Sequence, residues 1–259
     1  MKIKKIIFIM IVFIIAACGI FYLGNTLYNK NNVVKVTIPE GYTNKELGQT
    51  LEKSGLVTEK NFISEAENWA DNNYWFLKEL PNDKHKLDGF LYPATYSFQK
   101  NASSKTIINE MLRAFEMNIK PNKNYITKNK LNLRNTLITA SLIEKEAKKD
   151  VDRPKIASVI YNRINRNMPL QIDATILYII GHRDKLYNKD LAVKSPYNTY
   201  LNKGLPPSPI CNPGTKSINA AIHPANTDYL YYVLNSKTNE HIFSKTYAQH
   251  SKNVSIYIK

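Results

Sequence analysis

The 259-residue sequence predicts an α+β protein in three parts: an N-terminal transmembrane helix with its linker over residues 1–32, a small α+β module over 33–98, and a mixed α/β domain over 99–259. Three observations carry that prediction. An uncharged apolar run stands near the start. Strand-like and helix-like segments with capping signals follow it. Helical periodicity then dominates until the chain turns rich in proline and tyrosine.

Lys2, Lys4 and Lys5 precede the run from Ile6 to Leu23, close to the ~20 apolar residues that cross a bilayer as a helix. Basic residues stay on the cytoplasmic side, so the N-terminus is expected inside and everything after Asn25 outside the cytoplasmic membrane. A cleaved signal peptide has similar flanks, but Gly19 to Leu23 extends the apolar run past Ala16 and Ala17 and favours an uncleaved single-pass span. A lipid anchor is the other alternative, since Ile15-Ala16-Ala17-Cys18 resembles a lipobox.

After a polar linker, Val33 to Ile38 reads as a strand and Pro39-Glu40-Gly41 as a turn. Thr43 with Glu46 three residues on forms a capping-box signature for a helix through Lys53, which Gly55 ends. Thr58 to Ala70 reads as a second helix and Gly89 to Phe98 as an aromatic strand. The order resembles a LysM-like fold, which grips N-acetylated sugars in cell-wall proteins; a spacer is the equal alternative. Helices are then expected over Ser103 to Ile119, Leu137 to Lys149 and Pro154 to Asn165. Turns follow from Pro169 through Gly214, then a helix from Thr215 to Ala221, and strands at Tyr229 to Leu234 and His241 to Phe243.

The net charge of +15 is spread along the chain as lysines without an arginine-dense tract, which argues against nucleic acid and leaves a polyanionic surface such as lipid head groups or wall polymers, or compositional drift with no partner, as the readings. Two cysteines, Cys18 and Cys211, build no disulfide framework, and the five histidines show no metal-ligand spacing. No metal centre is expected from that spacing.

A helical wheel of Thr139 to Lys149 singles out one side chain. Glu144, Lys145, Lys148 and Lys149 share an arc with Ser141, whereas Glu146 falls between Leu142 and Ile143 on the apolar side. Desolvation raises a carboxyl pKa, and a proton held near neutral pH suits a general acid. A Glu paired with a buried cation such as Arg163 is the alternative that the wheel leaves open.

The string Ala140–Ala147 resembles the catalytic helix of the endolytic murein transglycosylases, the MltG or YceG-like family. Leu87–Tyr96, Ala157–Ile164, Met168–Thr175, Ser195–Tyr200, Gly204–Ile210, Asn212–Gly214, Tyr229–Val233 and His241–Ser244 resemble further family segments in the same order. Ile172, Ala174 and Ser208 depart from the usual pattern. The resemblance implies that Glu146 is the acid/base of a lytic transglycosylase acting on peptidoglycan glycan strands. It also implies association with the cytoplasmic membrane and with peptidoglycan synthases, and no cofactor. Asp173 is the nearest second carboxylate, expected in the cleft for charge stabilisation or sugar binding, with a surface or turn-capping role as the equal alternative. Gln171, Tyr197, Asn198, Thr199, Tyr200 and Asn212 are the further expected sugar contacts, with loop bracing as the alternative for each. A non-catalytic peptidoglycan-binding scaffold is the competing function.

Overall fold

The computed structural model describes residues 32–257 and, before them, residue 19 alone. The expected membrane span and the lipobox at Cys18 therefore lie outside the described residues. Among the described residues no helix is long and apolar enough to cross a membrane.

The first part is a β-α-α-β unit: β1 (Val33–Thr37), α1 (Asn44–Lys53), α2 (Glu59–Glu67) and β2 (Thr95–Gln99). β1 and β2 pair antiparallel, with Val33 opposite Gln99 and Thr37 opposite Thr95. α1 starts where the capping box places it: the Thr43 side chain accepts from the Glu46 N–H, and the Glu46 carboxylate accepts from the Thr43 N–H at 2.8 Å. Thr58 caps α2 in the same manner. Leu47 and Leu51 on α1 and Phe62 on α2 are fully buried, as their helical spacing demands.

Two boundaries differ from expectation. α2 ends at Glu67, short of Ala70, and residues 89–94 form a loop that leads into β2. The loop turns at Gly89, whose φ of +80° suits glycine, and a Cβ there would lie 2.8 Å from Pro209 Cγ. Gly89→Ala should therefore cost about 1–3 kcal/mol in a chemical denaturation experiment. A loss under ~0.5 kcal/mol would show that the loop yields.

The second part carries α3 (Ser104–Ile119), α4 (Lys123–Lys128), α5 (Leu133–Glu146), α6 (Arg153–Asn165), α7 (Asp173–Ile180), α8 (Asn188–Leu191) and α9 (Thr215–Ile222). The antiparallel hairpin β3 (Tyr231–Asn235) and β4 (Glu240–Ser244) and a final helix α10 (Tyr247–Tyr257) follow. A core cluster among the described residues runs from Val36 and Leu47 through Phe90 and Phe115 to Leu142, Ile156 and Ile222, so both parts share apolar packing. Within it Phe76 stacks on Phe90, and Phe115 meets both edge-to-face, at centroid distances of 4.9–5.6 Å.

α5 is the central helix, packed by α6 and α9. Every residue from Thr136 to Ile143 is buried. The wheel's outward arc is corrected here: Ser141 lies inside, donating to the Ile138 carbonyl at 2.7 Å and accepting from the Ile210 N–H at 3.0 Å, and the Glu144 side chain is only 8% exposed. A helix wrapped on both sides has no polar stripe to read. It also stops three residues before Lys149, because Ala147 turns extended at φ −68° and ψ 124°, which leaves Glu146 as its last residue.

Candidate active site

Three elements converge on Glu146. α5 presents it at its C-terminal end; β3 brings Tyr232, whose hydroxyl donates to Glu146 Oε2 at 3.0 Å; the start of α7 offers the Ala174 N–H. The residue keeps some accessible surface, but its carboxyl is enclosed by protein. Desolvation is the largest influence and pushes the carboxyl up to about 7. The Tyr232 bond opposes that rise, the Asp173 charge adds to it, and the Ala174 N–H and Lys148 oppose it.

Arg163 does not pair with this carboxyl. Its guanidinium donates to the Leu230 and Leu170 carbonyls, both at 2.6 Å, and lies over the Tyr231 ring at 5.1 Å. Glu144 is the glutamate that is clamped: Arg153 Nη1 stands 3.3 Å from its Oε1, and the Gly214 N–H donates to its Oε2 at 3.0 Å. Two glutamates two residues apart therefore face different chemistry. One is paired with an arginine, and the other, among the described residues, has no ion-pair partner and lies beside a tyrosine.

The other expected residues divide. Asp173 opens α7, is exposed, and accepts the Tyr200 hydroxyl. Tyr200 lies close enough to feel the Glu146 charge, and burial followed by the Asp173 bond holds its hydroxyl well above the usual range. Gln171 is exposed in a left-handed backbone conformation, φ 52°, with its N–H on the Thr199 carbonyl. The polar groups of the remainder are turned inward. Asn198 donates to the Leu191 and Val193 carbonyls and accepts from the Tyr200 N–H. Thr199 accepts from the Ile172 N–H and bonds Thr175. Asn212 donates to the Tyr42 carbonyl and to Asn44 and accepts from the Leu91 N–H, which ties the β-α-α-β unit to the second part.

Tyr197 belongs to a second polar network. Its hydroxyl bonds Ser208 at 2.7 Å, Ser208 donates to Asp88 at 2.9 Å, and Asp88 also meets His85 Nδ1 at 2.8 Å. His85 and Asp88 line a groove of about 660 Å³ between α1, α2 and α7. Glu146 is not in its lining, but the flanking residues Lys145 and Ala174 are, so the groove runs up to the acid without containing it.

Tyr232 is the residue that sequence inspection leaves unmarked as a site group. It sits inside the Tyr229–Val233 string, where it is one of several tyrosines in a strand. Nothing local separates the one that meets α5.

The YceG-like family model matches residues 21–256. The chain is similar to the endolytic murein transglycosylase of Bacillus subtilis (strain 168), with 39% identity over 236 residues covering 86% of this chain and 65% of that protein. It is also similar to the protein of that name from Streptococcus pneumoniae serotype 2 (strain D39 / NCTC 7466), at 34% identity over 86% of this chain and 44% of that one. The chain thus spans slightly under two thirds and under half the length of these curated relatives. A crystal structure of a yceG-like protein from Listeria monocytogenes superposes with a TM-score of 0.75 at 39% identity, covering 85% of this chain and 76% of the other. With the family pattern running along nearly its whole described length, the chain belongs to the YceG-like family.

Proposed function

We propose that the chain is an endolytic murein lytic transglycosylase, and the observation that carries this is Glu146: a carboxyl with no ion-pair partner among the described residues, bonded by Tyr232 at the end of a buried helix and pushed up to about 7 by desolvation. Protonated Glu146 donates to the oxygen that links N-acetylmuramic acid to N-acetylglucosamine. The carboxylate left behind is stabilised by the Tyr232 hydroxyl and the Ala174 N–H. It then takes the proton of the muramyl C6 hydroxyl, which attacks the anomeric carbon and closes a 1,6-anhydro ring. The glycosidic C–O bond breaks and a C1–O6 bond forms; the donated proton leaves on the N-acetylglucosamine hydroxyl, and the C6 hydroxyl's proton restores Glu146. The nucleophile comes from the substrate, so neither a hydrolytic water nor a cofactor enters.

Asp173, held by Tyr200, supplies negative charge beside the developing cation, and Gln171, Asp173 and Tyr200 contact sugar. Tyr197, Asn198, Thr199 and Asn212 shape the loops around them. The β-α-α-β order and antiparallel β1–β2 pairing support a LysM-like module for residues 33–98, next to a catalytic domain over 99–259. We assign residues 1–32 to a single-pass anchor in the cytoplasmic membrane with the catalytic domain outside. There a chain of charge +15 meets anionic wall polymer, nascent glycan and its synthases.

Purified protein incubated with uncrosslinked glycan strands should release fragments with 1,6-anhydromuramyl ends, identified by mass spectrometry. Reducing muramic ends would show hydrolysis and overturn the transglycosylase reading; unshortened strands would favour a binding scaffold.

A further inference from the structure

The hairpin that carries Tyr232 is held by a buried pair with no part in the chemistry above. Asp152 precedes α6, and His241 is the second residue of β4; their side chains are 3% and 4% exposed. One oxygen, Asp152 Oδ2, accepts the His241 backbone N–H at 2.8 Å and the His241 Nδ1–H at 3.1 Å. A side chain bonded at the main chain and at the ring to a single oxygen has lost its freedom to rotate.

The immobilised ring has a specific neighbour. Tyr232 opposes Phe243 and Leu234 opposes His241, so His241 and Tyr232 are diagonal partners on one face of the hairpin. Their rings stand at 89° with centroids 5.3 Å apart, and Phe243 closes the cluster at 6.1 Å from Tyr232. The far end of the Tyr232 ring carries the hydroxyl that reaches Glu146.

We propose that Asp152 and His241 are positioning residues for the acid: by locking the His241 ring they fix Tyr232, and through its hydroxyl they orient the Glu146 carboxyl. This rests on the transglycosylase reading. A pair that merely pins the hairpin to α6 would affect stability and leave the chemistry of Glu146 alone. Glu146 is faced by Tyr232 from β3, Asp173 from α7, Lys148 beyond α5, and Tyr200; Tyr232 is faced by Glu146, Asp173 and Arg163 of α6. Replacing His241 changes none of these groups directly. A released Tyr232 deprives the carboxylate of a donor, so the proton is held to higher pH, as in Tyr232→Phe.

The test measures kcat, KM and the pH profile of glycan cleavage for His241→Gln, Asp152→Leu, Tyr232→Phe and the double variant Tyr232→Phe/His241→Gln. Each single change should lower kcat about tenfold or more, leave KM near the wild-type value, and move the alkaline limb upward. The double variant should be no slower than Tyr232→Phe alone, because both changes break one linkage. Multiplying losses, or an unmoved alkaline limb in a His241→Gln protein that melts as wild type does, would overturn the proposal. Should His241→Gln fail to fold, Asp152→Leu, which has nearly the shape of the aspartate and accepts neither His241 bond, carries the same comparison with Tyr232→Phe. A wild-type chain that does not cut glycan would overturn the functional reading itself and the pair's role with it.

Discussion

Glu146→Gln is expected to lower the rate of glycan cleavage by about 10²–10⁴-fold, the usual contribution of a positioned general acid–base. The amide keeps the shape of the carboxyl and can accept from the Tyr232 hydroxyl, but has no proton to give. The same variant should gain stability in alkali. Glu146 is raised from its ordinary value of 4.5 to about 7, so between those limits the folded chain binds more protons than the unfolded one, and stability falls as pH rises through the window. Below 4.5 both states are protonated and the contribution is intact; above about 7 it is lost, a difference of at most roughly 3 kcal/mol. The glutamine chain avoids that loss. Melting temperatures of the two proteins should thus be closest near pH 4 and diverge toward pH 8, with the variant higher. A variant that retains more than a tenth of the activity, or melts lower at pH 8, would remove Glu146 from the acid's role. In the wild type, cleavage should decline as pH passes about 7, because only the protonated form can donate.

Arg153→Met should cost about 3–5 kcal/mol, the usual loss when one partner of a buried ion pair is removed. Arg153 is 9% exposed and opens α6, yet its guanidinium also meets Glu144 of α5, Ser217 of α9 and Asp150. Without it the Glu144 carboxyl remains enclosed and faces Glu40, whose own carboxyl is already raised by burial and then by Glu144. For a domain of this size the loss is roughly 10 °C in melting temperature. Arg153→Met/Glu144→Gln should recover most of it, since the orphaned charge is then gone. A single-variant loss below ~1 kcal/mol would show that the clamp is solvated and the pair expendable.

Local signals made much of the scaffold legible. Thr43 with Glu46, Thr58 and Ser103 mark helix starts because their side chains satisfy backbone N–H groups that water would otherwise take, an effect confined to a few residues of sequence. α7 is the converse. Ile172 gives it no side-chain cap, and its run of Ala174 to Ile180 has no polar face, so it reads as neither helix nor strand. α10 has no buried residue and no stripe to announce it. The apolar surroundings of Glu146 are legible in the wheel, but the burial of Glu144 and Ser141 is not, because α6 and α9 come from later in the chain to cover that side. Tyr232 meets Glu146 across 86 residues, a distance over which periodicity carries no information.

The placement of Glu146 on the closing residue of α5 has one more consequence. The last carbonyl groups of a helix lack internal partners, and their summed dipoles leave a fractional negative charge at that end, worth about 0.3–1 kcal/mol against a nearby anion. Backbone geometry thus opposes ionisation of a carboxyl held at that end. On the transglycosylase reading proposed above, the helix end adds to burial and to the Asp173 charge in returning a proton to the carboxyl.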